Sequence, residues 1–192
     1  MLQPESLESV LSALGRVLAS RRLAYELVTV GGSSLMLLGL IERPTRDLDV
    51  IALIESGRYV KAGALPAPLM AAVAEVGEVF QLGPGWINAG PADLLDFGLP
   101  EGFAERAEVR RYGPLTLHIA SRADQVALKL YAAADQGPRS KHFQDLHALA
   151  PTRDELVAGA RWAVTHDPSE GFRGQLVGAL AALGVPDGDS LL

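Results

Sequence analysis

The chain has 192 residues, 48% of them hydrophobic and 21% charged, a net charge of −6 and no cysteine. That length favours one domain, or one domain with a helical appendage, and can bury a core without covalent staples, while the lack of cysteine excludes disulfides, thiolate metal sites and cysteine nucleophiles. Proteins that coat nucleic acid non-specifically are basic, because phosphate neutralisation supplies that affinity, so the acidic balance confines any nucleic-acid contact to a local patch.

The N-terminus carries no basic segment leading into an apolar one, and no apolar run approaches the roughly 20 residues that span a bilayer. A cytoplasmic protein without membrane partners is the expectation. Leu7, Val10, Leu11, Leu14, Val17 and Leu18 recur at helical spacing and predict an amphipathic first helix closing at Arg21 and Arg22. A short β-branched strand follows over 26–30. It runs into Gly31-Gly32-Ser33-Ser34, and an apolar helix is expected over 35–40. Residues 47–54 read as a second strand, 56–67 as a Gly/Pro-containing loop, and 68–82 as a helix stopped by Gly83-Pro84-Gly85. Residues 86–105 carry no clear period.

Residues 107–112 and 115–120 flank Gly113-Pro114 and predict a β-hairpin. Ser121 with Asp124 marks the start of a helix to about residue 135; a further helix is expected over 140–150. Thr152 with Glu155 has the spacing of a capping box opening a helix to about 166, and a last helix covers 169–183. The tail from Pro186 is expected to fray. This order gives an α+β fold, an α/β core of few strands with a helical C-terminal part. Residues 1–120 form the core with its N-terminal helix, 121–192 the helical part, and the two are expected to make one compact unit.

One constellation carries chemistry. A strand leads into Gly31-Gly32-Ser33-Ser34, then a helix, then Arg43-Pro-Thr-Arg46-Asp47-Leu-Asp49 entering the next strand. The glycines permit close backbone approach and positive φ. The helix start offers N–H groups and a positive dipole end to phosphate, and Ser33 and Ser34 add hydroxyl donors. Asp47 and Asp49 are two apart on a strand, so both carboxylates face one side, about 6–7 Å apart. At an effective dielectric of about 20 their repulsion is roughly 3 kcal/mol, which a bound Mg²⁺ turns into attraction. Arg43 and Arg46 can neutralise a triphosphate. A Gly-Gly turn or an Asp-x-Asp strand edge is common in proteins with neither ligand nor metal; the specificity lies in the ordered combination.

This combination resembles the polymerase-β-type nucleotidyltransferases, with Gly32-Ser33 and Asp47-x-Asp49 at their two main motifs. Ala127-Leu-Lys-Leu-Tyr-Ala-Ala-Ala-Asp135, followed by Arg139-Ser-Lys-His-Phe-Gln-Asp145-Leu, is similar to the AbiEii/MenT-like toxins of type IV toxin–antitoxin systems. The likeness spans about residues 25–150. It implies a nucleotidyltransferase-fold mixed sheet and transfer of a nucleoside monophosphate from an NTP, with Mg²⁺ or Mn²⁺ held by Asp47 and Asp49. It also implies a tRNA 3′ end as acceptor and a cognate antitoxin as partner.

In that clade a helical Lys and a later Asp complete the site, here Lys129 and Asp145. Lys129 would bind the triphosphate and stabilise the leaving pyrophosphate; read without the likeness, it is a lysine on the wet side of a helix. Asp145 is a third metal ligand, an orienter of Lys129, or a surface partner of Lys141 at i, i+4. Trp86-Ile-Asn88 offers an aromatic for stacking a base. Arg139 and Lys141, with Arg106, Arg110 and Arg111, offer a local basic patch for RNA. Two rivals share the motifs: a nucleotidyltransferase acting on a small molecule such as an antibiotic, which the acidic charge favours, and a binding module that has kept the fold without catalysis.

Overall fold

A computed structural model of the protein describes residues 1–96 and 98–192. The described chain divides into two compact units, Met1–Leu99 with Ala104–Ala120, and Pro100–Phe103 with Ser121–Leu192. Its α+β architecture is a six-stranded mixed sheet with eight α-helices among the described residues.

The first unit holds the sheet. Helix α1 (Pro4–Ser20) buries Leu7, Val10, Leu11, Leu14 and Leu18, the face its periodicity marks out. Gly15 lies against the main chain of Tyr112, where any Cβ would collide, so the glycine sets how closely α1 approaches the sheet. Strand β1 (Tyr25–Val30) leads into α2 (Gly31–Leu37), and β2 (Leu48–Glu55) returns antiparallel to β1. The expected helix over 35–40 thus begins four residues earlier, so both glycines and both serines form its opening turns.

The loop expected over 56–67 contains a strand, β3 (Arg58–Lys61). Ser56 and Gly57 both take positive φ, 50° and 75°, the geometry of a two-residue hairpin turn whose twist matches the strands. With two charges in four residues, β3 is an edge strand, and charge on an edge resists further pairing. Helix α3 (Ala67–Val79) follows. A two-residue strand, β4 (Ile87–Asn88), pairs parallel to the start of β2. The short helix α4 (Phe103–Arg106) precedes the hairpin of β5 (Glu108–Tyr112) and β6 (Leu115–Ile119), with β6 parallel to β1. The strand order is β3-β2-β1-β6-β5, with β4 also paired to β2.

The second unit is helical: α5 (Arg122–Gln136), α6 (Lys141–Leu149), α7 (Arg153–His166) and α8 (Glu170–Ala182). Each opens on a side-chain cap, from Ser121, Ser140, Thr152 and Ser169, and Thr152 with Glu155 closes a full capping box. Helix α5 packs against the other three. Gly159 brings α7 close to Ala127, where a Cβ would sit 3.0 Å from its Cα. Tyr131, Trp162, His166 and Phe172 pack ring to ring in the same unit. The tail does not fray as expected. Residues Gly188–Leu191 form a 3₁₀ turn, Asp187 pairs with Arg153 and Asp189 with Arg173, so two cations on α7 and α8 hold it.

Candidate active site

The register of the sheet builds the site. Val30, the last residue of β1, pairs with Asp49 on β2, so the Asp49 side chain reaches the first residue of α2. Gly31 has φ +81°, and a Cβ there would stand 2.5 Å from Asp49 Oδ2. A Cβ on Gly32 would stand 2.5 Å from Cγ2 of Thr45 and 3.5 Å from an Arg43 nitrogen. The two glycines therefore make room for specific side chains, Gly31 for Asp49 at the start of β2 and Gly32 for Thr45 and Arg43 of the segment that precedes it.

Asp47 sits one residue before β2. Burial alternates along this stretch: Asp47 and Asp49 are half-exposed, while Leu48 and Val50 are fully buried. That alternation puts both carboxylates on one side of the strand. The main chain at Asp47 is braced from beneath. The Ser33 hydroxyl donates to the Asp47 carbonyl and lies 2.6 Å from the Thr45 hydroxyl. Thr45 is in turn locked to Leu2 by two main-chain hydrogen bonds of 2.8 and 3.1 Å.

On the outer side, Asn88 Nδ2 donates to Asp47 Oδ2 at 3.1 Å. The oxygen donors presented by this pair suit a hard divalent ion, because Mg²⁺ takes one or two carboxylates and fills its shell with phosphate and water. Half-exposure leaves the carboxylates reachable. Among the described residues, no group of three or more His, Cys, Asp or Glu side chains is arranged to hold a metal ion.

Several residues stand differently from expectation. Ser33 and Ser34 are fully buried, and their hydroxyls turn inward, Ser34 donating to the Thr29 hydroxyl at 3.0 Å. They hold the site's backbone and offer no hydroxyl at the surface. Trp86 is 1% exposed with its indole N–H on the Val73 carbonyl at 2.8 Å, which removes it as a platform for a base. Its backbone carbonyl accepts from Leu48 N at 2.7 Å, so it anchors the start of β2. Arg43 lies over Gly32 and Arg46 is exposed on the same segment. Asn88 is the residue the sequence did not single out for the carboxylates. Its contact depends on β4, a strand too short to leave a periodic signal.

In the helical unit, Lys129 is not on a wet face. It is buried, and its Nζ lies 2.7 Å from Oδ2 of Asp145, itself 1% exposed. Asp145 thus meets Lys129, across the contact of α5 with α6, and is not a surface partner of Lys141. A buried ion pair contributes little net stability against apolar residues of the same shape, but removing one partner strands a charge and costs about 3–5 kcal/mol. Arg139 and Lys141 are exposed. Arg110 pairs with Glu8 and Glu108.

Residues 5–146 match a family model described as "Nucleotidyltransferase of unknown function (DUF6036)". The matched span includes the β1–α2–β2 segment and extends through Lys129 and Asp145. No curated protein and no solved structure matches the chain. No helix among the described residues is long and apolar enough to cross a membrane.

Proposed function

The chain belongs to the family of nucleotidyltransferases of unknown function that matches residues 5–146, and from that premise we propose that it moves a nucleoside monophosphate from an NTP to an acceptor hydroxyl, with a divalent metal held by Asp47 and Asp49. The observation that carries this reading is the pair of half-exposed carboxylates at the start of β2, with Asp49 seated against Gly31 where β1 turns into α2.

In the reaction, the acceptor oxygen attacks the α-phosphorus in line while the bond to the β-phosphate bridging oxygen breaks. The acceptor gains the monophosphate, its hydroxyl proton is lost, and pyrophosphate leaves. Mg²⁺ or Mn²⁺ bound at the pair would neutralise phosphate charge and favour deprotonation of the acceptor. The protein's part is orientation. Ser33 and Thr45 fix the main chain at Asp47, the β1–β2 register fixes Asp49, and Arg43 and Arg46 supply positive charge on the same segment. For Lys129 the resemblance supports a role at the triphosphate, with Asp145 holding its Nζ in place.

For the acceptor we take the 3′ end of tRNA, and for the role a cytoplasmic growth-inhibiting toxin restrained by a cognate antitoxin. The support is the likeness of the segment carrying Lys129 and Asp145 to the AbiEii/MenT-like toxins, together with exposed Arg139 and Lys141. A small-molecule acceptor such as an antibiotic is the second reading, and the net charge of −6 favours it. The test incubates the protein and Mg²⁺ with each labelled NTP, in parallel with total RNA and with a panel of antibiotics. Label in a tRNA-sized band supports the first reading; label only in a drug adduct replaces it with the second.

A further inference from the structure

We propose that Asn88 is a positioning residue that sets the metal affinity of the Asp47–Asp49 pair; the inference rests on the metal reading of that pair. Three observations carry it. The Asn88 amide nitrogen donates to Asp47 Oδ2 at 3.1 Å. Its other end is fixed as well, since Oδ1 accepts from the main-chain N–H of Gly90 at 2.8 Å. That second bond identifies the amide oxygen, because an N–H cannot face another N–H, so the atom turned to Asp47 is the donor. Finally, Asn88 pairs in register with Asp49 itself, through β4 against β2. One residue is thus tied to the main chain of one carboxylate residue and to the side chain of the other.

The consequence follows from the chemistry of a carboxylate beside a like charge. Free to rotate, Asp47 would turn away from Asp49 and lower their repulsion. The amide holds one oxygen and leaves the remaining lone pairs presented. β4 is anchored by the neighbouring Trp86, whose indole N–H is bound by α3 and whose carbonyl holds Leu48 N. The orientation is therefore built before any ion arrives. Groups that orient metal ligands in this way typically change affinity by about 10–100-fold when removed.

The experiment titrates Mn²⁺ into the full chain without nucleotide and follows free Mn²⁺ by electron paramagnetic resonance. Wild type, Asn88→Ala and Asp47→Asn are compared, with melting curves for each. Asn88→Ala is expected to bind Mn²⁺ about 10–100-fold more weakly, and at saturating metal to keep the wild-type KM for NTP. Asn88→Asp gives an independent reading, because it keeps the bond from Gly90 but faces Asp47 with an acceptor. Its metal-free melting temperature should fall and Mn²⁺ should raise it by more than in wild type. Folded Asn88→Ala binding Mn²⁺ within twofold of wild type overturns the inference. If Asn88→Ala does not fold, an Asn88→Asp melt that responds to Mn²⁺ as wild type does has the same force. Wild type that binds no Mn²⁺, or binds it as Asp47→Asn does, overturns the metal reading itself and the inference with it.

Discussion

Gly31 and Gly39 separate what a glycine does for stability from what it does for the site. Both take positive φ, +81° and +69°. An added Cβ at Gly31 meets Asp49 Oδ2, whereas at Gly39 it meets nothing within 4 Å. Alanine in such a backbone conformation costs about 1–3 kcal/mol wherever it occurs. We expect Gly31→Ala and Gly39→Ala to lower stability by similar amounts in denaturant melts. Only Gly31→Ala should also cut turnover, by a factor of order 10², because it displaces a carboxylate from its working position. Equal turnover in the two variants would show that Asp49 does not work from its seat against Gly31. At this scale the sequence was legible as a pattern and silent on its partners. Gly31 and Asp49 stood out by type and spacing. That they touch depends on the pairing of Val30 with Asp49, a register that no local spacing determines. Ser33 shows the limit from the other side: a serine beside two glycines reads as a phosphate donor, yet its hydroxyl is turned inward to the carbonyl of Asp47.

The helices were legible because their ends carry local chemistry. Ser121 and Thr152 cap the helices that their spacing to Asp124 and Glu155 marks. β3 and β4 were not, because a four-residue charged edge strand and a two-residue strand are defined by their partner β2. The order of the tail is not legible locally, because it comes from Arg153 and Arg173, distant in sequence. Lys129 shows the same difficulty within an element. Its helical position is clear, but its burial against Asp145 is a contact of α5 with α6. The pair permits a separation of structure from chemistry. Lys129→Met alone should destabilise the protein by about 3–5 kcal/mol, by leaving the Asp145 charge buried. Adding Asp145→Leu should restore most of that loss. If Lys129 also acts on the triphosphate, the double variant will melt near wild type and remain inactive. A double variant that recovers both stability and transfer would make the pair purely structural.

For the whole molecule, the acidic charge and the proposed toxin role pull in different directions, and growth distinguishes them. Expression of the wild-type chain alone is expected to slow bacterial growth, and Asp49→Ala to abolish the effect. A toxin acting on tRNA ends need modify only a limiting pool, so modest turnover suffices. An antibiotic-modifying enzyme is harmless alone and raises survival under drug. Normal growth with soluble expression and raised drug survival would therefore replace the toxin role and leave the fold and the carboxylate pair standing. The central claim, transfer of a nucleoside monophosphate by the Asp47–Asp49 site, is tested most directly by the position of the label. The protein is given the same NTP labelled at the α- or the γ-phosphate, with Mg²⁺ and an RNA acceptor. We expect α-label in the acceptor, γ-label in released pyrophosphate, and neither with Asp49→Asn or with chelator. Label reaching the acceptor from the γ-phosphate, or undiminished α-transfer by Asp49→Asn, would contradict it.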